Sequence, residues 1–213
     1  MEKSIEEIWK NGFLQNEALV APKVNDLYNQ KSKNIVDKLL QMGQMNIYAI
    51  LIGAFIILFV SVLTGATIMG LALFFLLGWL VLAGRELKKK VDEIDKSMSS
   101  YVYLKAVNSW RNDAIALYTR IYRVFYPLFV LSIGIGFWFS TFGTDLAVNL
   151  AEKFPTMIYI LGMPLYPLIV LLTIAALSSI FAGRIYRLDL NIVYGNVFAK
   201  IEELIADMDE LRS

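Results

Sequence analysis

The stretch Leu39–Gly84, LLQMGQMNIYAILIGAFIILFVSVLTGATIMGLALFFLLGWLVLAG, contains no Asp, Glu, Lys or Arg. A helix rises about 1.5 Å per residue and the hydrocarbon core of a bilayer is roughly 30 Å thick, so about 20 apolar residues make one crossing. Read as one unbroken helix, the stretch would run about 70 Å, far beyond that thickness. Two crossings joined by a short turn fit instead. Thr64-Gly65 supplies the turn, with span one at Asn46–Thr64 and span two at Ala66–Gly84. So short a connection predicts an antiparallel helical hairpin.

Two more charge-free runs follow, between Val124 and Thr144 and between Phe154 and Gly183. They place span three at Arg123–Phe142 and span four at Met157–Phe181. The fold class expected is an all-α integral membrane protein, with four transmembrane helices and helical cytosolic extensions. Its parts are cytosolic N-terminal helices (1–45), a transmembrane hairpin (46–84), a cytosolic helical hairpin (85–123), spans three and four (124–183) around an outer loop (143–158), and a cytosolic amphipathic tail helix (184–213).

Orientation follows from the basic residues. Of the twenty Lys and Arg, six lie in 1–45, nine in 85–123 and four in 184–213, while the 143–158 loop has only Lys153. Basic residues collect on the cytoplasmic side, so both termini and the 85–123 segment are expected there, in a bacterial inner (plasma) membrane. The first 38 residues carry six basic and six acidic groups and no apolar core, so no cleavable signal peptide is expected and span one is its own insertion signal.

Outside the spans the apolar residues fall at helical spacing. Ser4 and Glu7 form a capping box ahead of Ile5, Ile8 and Trp9, and Gly12 ends that helix. Pro22 suits the first turn of a second helix, whose stripe is Val24, Tyr28, Ile35, Leu39 and Met42. Leu87, Val91, Ile94, Met98 and Tyr101 read as the seam of a coiled coil continuing span two, with a turn near Ser97–Ser100 or near Asn108–Ser109. In the outer loop Thr144 is placed to cap a short helix that Pro155 stops. The tail carries Leu190, Val193, Val197, Ile201, Leu204, Met208 and Leu211 on one face and acidic residues on the others.

The chemistry is bounded by what is missing. There is no cysteine and no histidine among 213 residues. That removes disulfides, thiolate catalysis, zinc–thiolate and iron–sulfur sites, and the commonest general base and metal ligand. No ionisable residue lies within a span, where ion-coupled pumps and voltage sensors need one. No phosphate-cradling glycine loop, nucleophile elbow or H-E-x-x-H pattern occurs. Asp207, Asp209 and Glu210 read as a solvated face rather than a metal site. No cofactor, metal or nucleic-acid partner is expected.

Four sets of residues remain. Ser132, Gly136 and Ser140, and likewise Ala175, Ser179 and Gly183, recur every four residues and suit close helix packing or an oligomer seam. Arg85, Lys88, Lys89 and Lys90 lie just past span two, where they meet anionic lipid headgroups. Pro127, Pro164 and Pro167 read as proline kinks, and the run Tyr126–Leu131 echoes Tyr166–Leu171 as an inverted repeat would. The aromatics Trp79, Phe137, Trp138, Phe139 and Phe142, with Tyr122, Tyr126, Tyr159 and Tyr166, read as belt and packing residues.

The stretch Glu7-Ile8-Trp9-Lys10-Asn11-Gly12-Phe13-Leu14, followed by Ala21-Pro22-Lys23-Val24-Asn25-Asp26-Leu27-Tyr28-Asn29-Gln30-Lys31-Ser32, resembles uncharacterised four-span bacterial inner-membrane proteins encoded near alternative sigma factors. The resemblance covers the N-terminal fifth, and the chain lacks the His/Cys zinc motif typical of one large anti-sigma class. The function expected is a non-enzymatic membrane regulator or scaffold that binds a protein partner through its cytosolic helices. The alternative is an oligomeric channel or small-solute transporter. Partners expected are membrane lipids, a cytosolic protein and further copies of the chain.

Overall fold

The computed structural model describes residues 17–210, with side chains from Tyr28 onward. The expectations at Ser4, Glu7 and Gly12, and at Leu211, lie outside the described residues. The elements are α1 (Glu17–Leu63), α2 (Thr67–Asp92), α3 (Ser100–Trp138), α4 (Thr141–Lys153), a small hairpin of β1 (Tyr159–Ile160) and β2 (Met163–Pro164), and α5 (Leu165–Glu210). Four of these helices, α1, α2, α3 and α5, are long and apolar enough to cross a membrane. They run up and down in sequence order, α3 packing along α5 and α1 along α2.

The molecule has two halves of opposite character. At the end holding the 64–66 turn and α4, large apolar side chains face outward, Phe75 at 71% exposure and Ile180 at 73%. At the other end the arrangement inverts, and Val36, Leu104, Val107 and Ile201 are fully enclosed. They form a core with Leu39, Tyr103, Val197 and Met208, packed by Tyr28, Ile35 and Met42. In this polar half each fully buried aliphatic contributes ~1.5–3 kcal/mol by leaving water. In the apolar half the surroundings of a membrane protein are as apolar as its interior, so close packing and internal hydrogen bonds hold the helices together.

α1 and α5 pass through both halves without a break, so the N-terminal segment and span one, and span four and the tail, share single helices. Pro22, expected in a first turn, lies within α1. The turn at the apolar end falls at Thr64–Ala66. Gly65 takes φ +71°, its N–H meets the Val62 carbonyl at 3.3 Å, and the Ala66 N–H meets the Ser61 carbonyl at 2.7 Å. That is a Schellman stop, and the left-handed residue it requires is the glycine. Just beyond, a Cβ on Gly70 would stand 2.5 Å from Ser61 Cβ, which shows how closely α1 and α2 approach.

Several boundaries differ from expectation. α2 ends at Asp92, so Ile94 and Met98 fall in the connection to α3 and the five-residue coiled-coil seam does not lie on one helix. Asp95 shapes the turn that follows. Its carboxylate accepts from the Ser97 N–H at 2.8 Å and from the Ser97 hydroxyl at 2.8 Å, and these bonds lower its pKa below the usual carboxylate value. Asn108–Ser109, the other turn considered, is mid-helix in α3. Ser140 rather than Thr144 caps α4, its hydroxyl accepting from the Gly143 N–H at 3.2 Å. The segment 157–164, expected to open span four, is not helical: it leads into the β1–β2 hairpin. Leu161 (φ 51°) and Gly162 (φ 78°) make the hairpin's tip, and the Trp138 indole N–H holds it by the Gly162 carbonyl at 2.9 Å.

The prolines divide accordingly. Pro164 is in β2 and Pro167 in the first turn of α5, where a missing N–H breaks no helical bond, so neither is a kink. Pro127 lies inside α3. The Tyr-Pro echo therefore pairs a helix interior with a helix start, and the backbone at the two sites is not equivalent. Pro127 has no N–H for the carbonyl of Arg123, four residues back. That carbonyl accepts instead from the Ser179 hydroxyl of α5 at 2.8 Å. A serine re-satisfying a backbone group freed by proline is what an apolar environment demands.

This pairing predicts a thermodynamic coupling. Ser179→Ala should destabilise the chain in detergent by about 1 kcal/mol. In a Pro127→Ala background, where the Ala N–H restores the helical bond, the same change should cost much less. Thermal or denaturant unfolding of the four variants measures the cycle, and equal costs in both backgrounds would show that Ser179 is not serving the freed carbonyl.

Candidate functional site

A cavity of about 150 Å³ lies between α1, α2, α3 and α5, where the apolar half meets the polar half. It spans several turns of each helix. At the apolar end its wall is Ile50, Leu80 and Tyr122. Below that wall Leu76, Leu80 and Phe125 close the centre of the bundle, with Phe129 packed against them. At the polar end its wall is Leu39, Val91, Arg111 and Phe198. From Leu80 to Val91 along α2 is about 16 Å at about 1.5 Å per residue, so the space is elongated along the helix axes.

Small residues at its edge keep this space open. Gly43 and Gly84 line it, and a Cβ on Gly84 would meet Ile47 Cδ1 at 3.1 Å and the Tyr118 hydroxyl oxygen at 3.2 Å. One side is a tyrosine cluster. Tyr122 stacks on Tyr186 with ring centres 4.7 Å apart at 25°, and Tyr118 lies 5.9 Å from Tyr186 and 6.0 Å from Tyr122. Aromatic pairs at these distances contribute ~0.5–1.5 kcal/mol beyond the area they bury. The hydroxyls of Tyr118, Tyr122 and Tyr186 have no hydrogen-bond partner among the described residues. Farther toward the polar end, the Asn46 amide donates to the Tyr194 hydroxyl at 3.5 Å, a long bond linking α1 to α5.

The charged element of the wall is Arg111, buried at 9% exposure. One terminal nitrogen of its guanidinium donates to Glu202 Oε1 at 2.8 Å, and the group lies over the Phe198 ring at 5.0 Å. Its Nε–H is buried with no acceptor among the described residues. The neighbouring Trp110 donates to the Leu87 carbonyl at 3.1 Å, which fixes α3 against α2 at this level. Lys88 and Asp189 also line the cavity. The lining is thus mainly apolar, with donor groups concentrated toward the polar end. Such a space suits a molecule with an acceptor head and an apolar body.

The residues singled out from the sequence are distributed as follows. Arg85, Lys89 and Lys90 are exposed, Lys89 pairing with Glu86 at 2.9 Å, whereas Lys88 turns inward to the cavity. The basic cluster is therefore not one patch. The small residues are used within the chain. A Cβ on Gly136 would stand 2.6 Å from Met69 Cα of α2, Gly183 faces Thr119 of α3, Ala175 is buried, Ser179 meets Arg123, and Ser140 caps α4. Ser132 is half-buried. The aromatics Trp79, Phe137, Phe139, Phe142 and Tyr166 face outward, while Trp138 is buried. Among the described residues no group of three or more Asp, Glu, His or Cys is placed to hold a metal ion.

Sequence reasoning missed Arg111, Tyr118, Tyr186 and Tyr194 as members of one site. The spacing of Tyr118, Tyr122 and Tyr126 at four-residue steps was a readable signal for one tyrosine face. Tyr186 joins them only through the packing of α3 on α5.

The ion pair at the cavity should matter little for stability. Because the Glu202 side chain is 62% exposed, Glu202→Gln should change unfolding free energy by less than ~1 kcal/mol. Leu104→Ala in the enclosed core should cost ~2–5 kcal/mol under the same conditions. A Glu202→Gln loss as large as that of Leu104→Ala would contradict this account. Comparison with protein-family models, with curated proteins and with solved structures finds no match for this chain.

Proposed function

We propose that this chain is a non-enzymatic regulator or scaffold of the bacterial inner membrane, crossing it four times with both ends and the 93–99 connection in the cytoplasm, and that its polar half binds a protein partner. The observation that supports this reading is the continuity of α1, α3 and α5 from the apolar half into a polar half with a packed core of its own. A displacement of helices in one half is carried into the other along rigid rods. Of the apolar stripes, Tyr28, Ile35, Leu39, Met42, Val197, Ile201 and Met208 pack in that core, whereas Met98 and Val193 stay exposed. The surface left to a partner includes the charged Glu203 and Asp207 on the outer face of α5 beside the exposed Ile192 and Val193. Arg85, Lys89 and Lys90 on α2 then face lipid headgroups, where each basic residue contributes ~1 kcal/mol.

The alternative, an oligomeric channel or small-solute transporter, was motivated by the small-residue stripes and the Tyr-Pro echo. The first are largely occupied by contacts inside one chain, and the second joins unlike backbone sites. Neither observation now favours it.

Two measurements test the proposal. The chain has no cysteine, so Ser97→Cys and Asn149→Cys are clean reporters of topology. A membrane-impermeant maleimide should label Asn149→Cys from the outer face of intact spheroplasts, and Ser97→Cys only after the membrane is opened. The reverse pattern would overturn the orientation. In-cell crosslinking with Glu203→Lys/Asp207→Lys beside the parent chain addresses the partner. A protein recovered with the parent should be lost with the variant, and recovery of the chain alone from both would count against the regulator reading.

A further inference from the structure

Arg111 does something a structural arginine has no need to do. Its Nε–H is enclosed and has no acceptor among the described residues, one outer nitrogen reaches Glu202, and the side chain forms part of the wall of the cavity. A buried charged donor without an acceptor is costly, by more than a neutral donor would be. The same wall adds Lys88, which has no ion pair among the described residues, and three tyrosine hydroxyls that donate to nothing described. Asp189 is the one carboxylate lining the cavity. Arg111 and Lys88 thus put two cationic groups against one carboxylate around a space whose remaining lining is mainly aliphatic and aromatic.

The shape gives the second half of the argument. The cavity extends from Arg111 and Val91 at the polar end to Ile50, Leu80 and Tyr122, at the level where the apolar half begins. A ligand that satisfies both ends has an acceptor-rich head and an unbranched apolar tail, aligned with the helices. At about 150 Å³ the space takes one chain, not two. A cavity of roughly this volume encloses a benzene-sized body, so the head and first carbons of such a chain lie inside it and the rest extends beyond.

We propose that this cavity binds a single-chain anionic amphiphile of the fatty-acid class. Its carboxylate pairs with the Arg111 guanidinium, with Lys88 nearby, and its chain runs along Leu80 and Tyr122. The site does not depend on the regulator reading. It would stand in a scaffold, a regulator or a transporter alike.

The test uses the full chain in lipid nanodiscs and the intrinsic fluorescence of Trp110, which lines the cavity. The probe is a bromine-labelled dodecanoic acid, added as the acid and compared with the matching bromododecanol. Quenching by the acid should saturate, and the saturating component should vanish in Trp110→Phe, leaving the linear quenching of a tryptophan exposed to lipid. Arg111→Gln should weaken the acid by about tenfold or more while leaving the alcohol nearly unchanged, as loss of a charge-assisted hydrogen bond requires. Glu202→Gln, which removes a competing carboxylate at an exposed position, should tighten the acid. That variant keeps the test decisive if Arg111→Gln does not fold. Equal affinity for acid and alcohol in the parent chain would overturn the proposal by showing apolar partition only. So would saturable quenching that survives Trp110→Phe, or acid binding that Glu202→Gln weakens. A soluble short-chain acid, butanoate, distinguishes the source of the ligand: competition by butanoate alone at equal concentration would overturn the requirement for an apolar chain.

Discussion

In an apolar surround every backbone N–H and C=O must find its partner inside the chain, and the apolar half of this molecule is arranged around that requirement. Long helices meet it along their length. The exceptions are the places where a helix stops or a proline intrudes, and each has a local remedy. The end of α1 turns its last amides back onto Ser61 and Val62 through Gly65. Ser140 receives the Gly143 amide at the start of α4. Pro127 frees the Arg123 carbonyl, and Ser179 crosses from α5 to meet it. The last of these also fixes the register of α3 against α5, since only one alignment brings that hydroxyl to that carbonyl.

Once α3 and α5 are in register, the features below them follow. Tyr122 reaches Tyr186, Arg111 reaches Glu202, and the enclosed core of Leu104, Val107, Val197 and Ile201 assembles at the polar end. Polar and apolar halves are stabilised by different physics. Water drives the burial of the polar-half core, whereas the apolar half relies on contact distance, which explains why glycines such as Gly136 and Gly70 sit where helices touch. The cavity lies where these two regimes meet. There, bulky tyrosines on α3 and α5 face glycines on α1 and α2, and the mismatch in size leaves space.

That position gives the cavity its interest. All four long helices line it, and three of them continue into the polar half. A molecule seated there would touch every element that carries the polar-half core. Binding energy spent at the joint can thus bias the arrangement of the outer helices, provided the ligand interacts differently with two arrangements.

The number of apolar helices and the end at which the charges gather were legible in the sequence, because charge is excluded from an apolar run whatever its neighbours do. The turn at Thr64-Gly65 was legible for a similar local reason, a glycine at the one point where two crossings must separate. Helical spacing also identified the stripe of Tyr28, Ile35, Leu39 and Met42, and that of Val197, Ile201 and Met208, since periodicity alone reveals which face of a helix is apolar. Periodicity is silent about which helix that face meets. It extended the Leu87–Tyr101 seam through a turn that Asp95 and Ser97 make by their own hydrogen bonds, and the absence of charge ran span four through a hairpin set by two left-handed residues at Leu161 and Gly162. Arg111 read as one more cytosolic charge, and Ser179 as one small residue in a stripe. Only the packing of α3 on α5 buried the first beside an apolar cavity and aimed the second at a carbonyl 56 positions earlier, because such contacts depend on three-dimensional register, which no local pattern encodes.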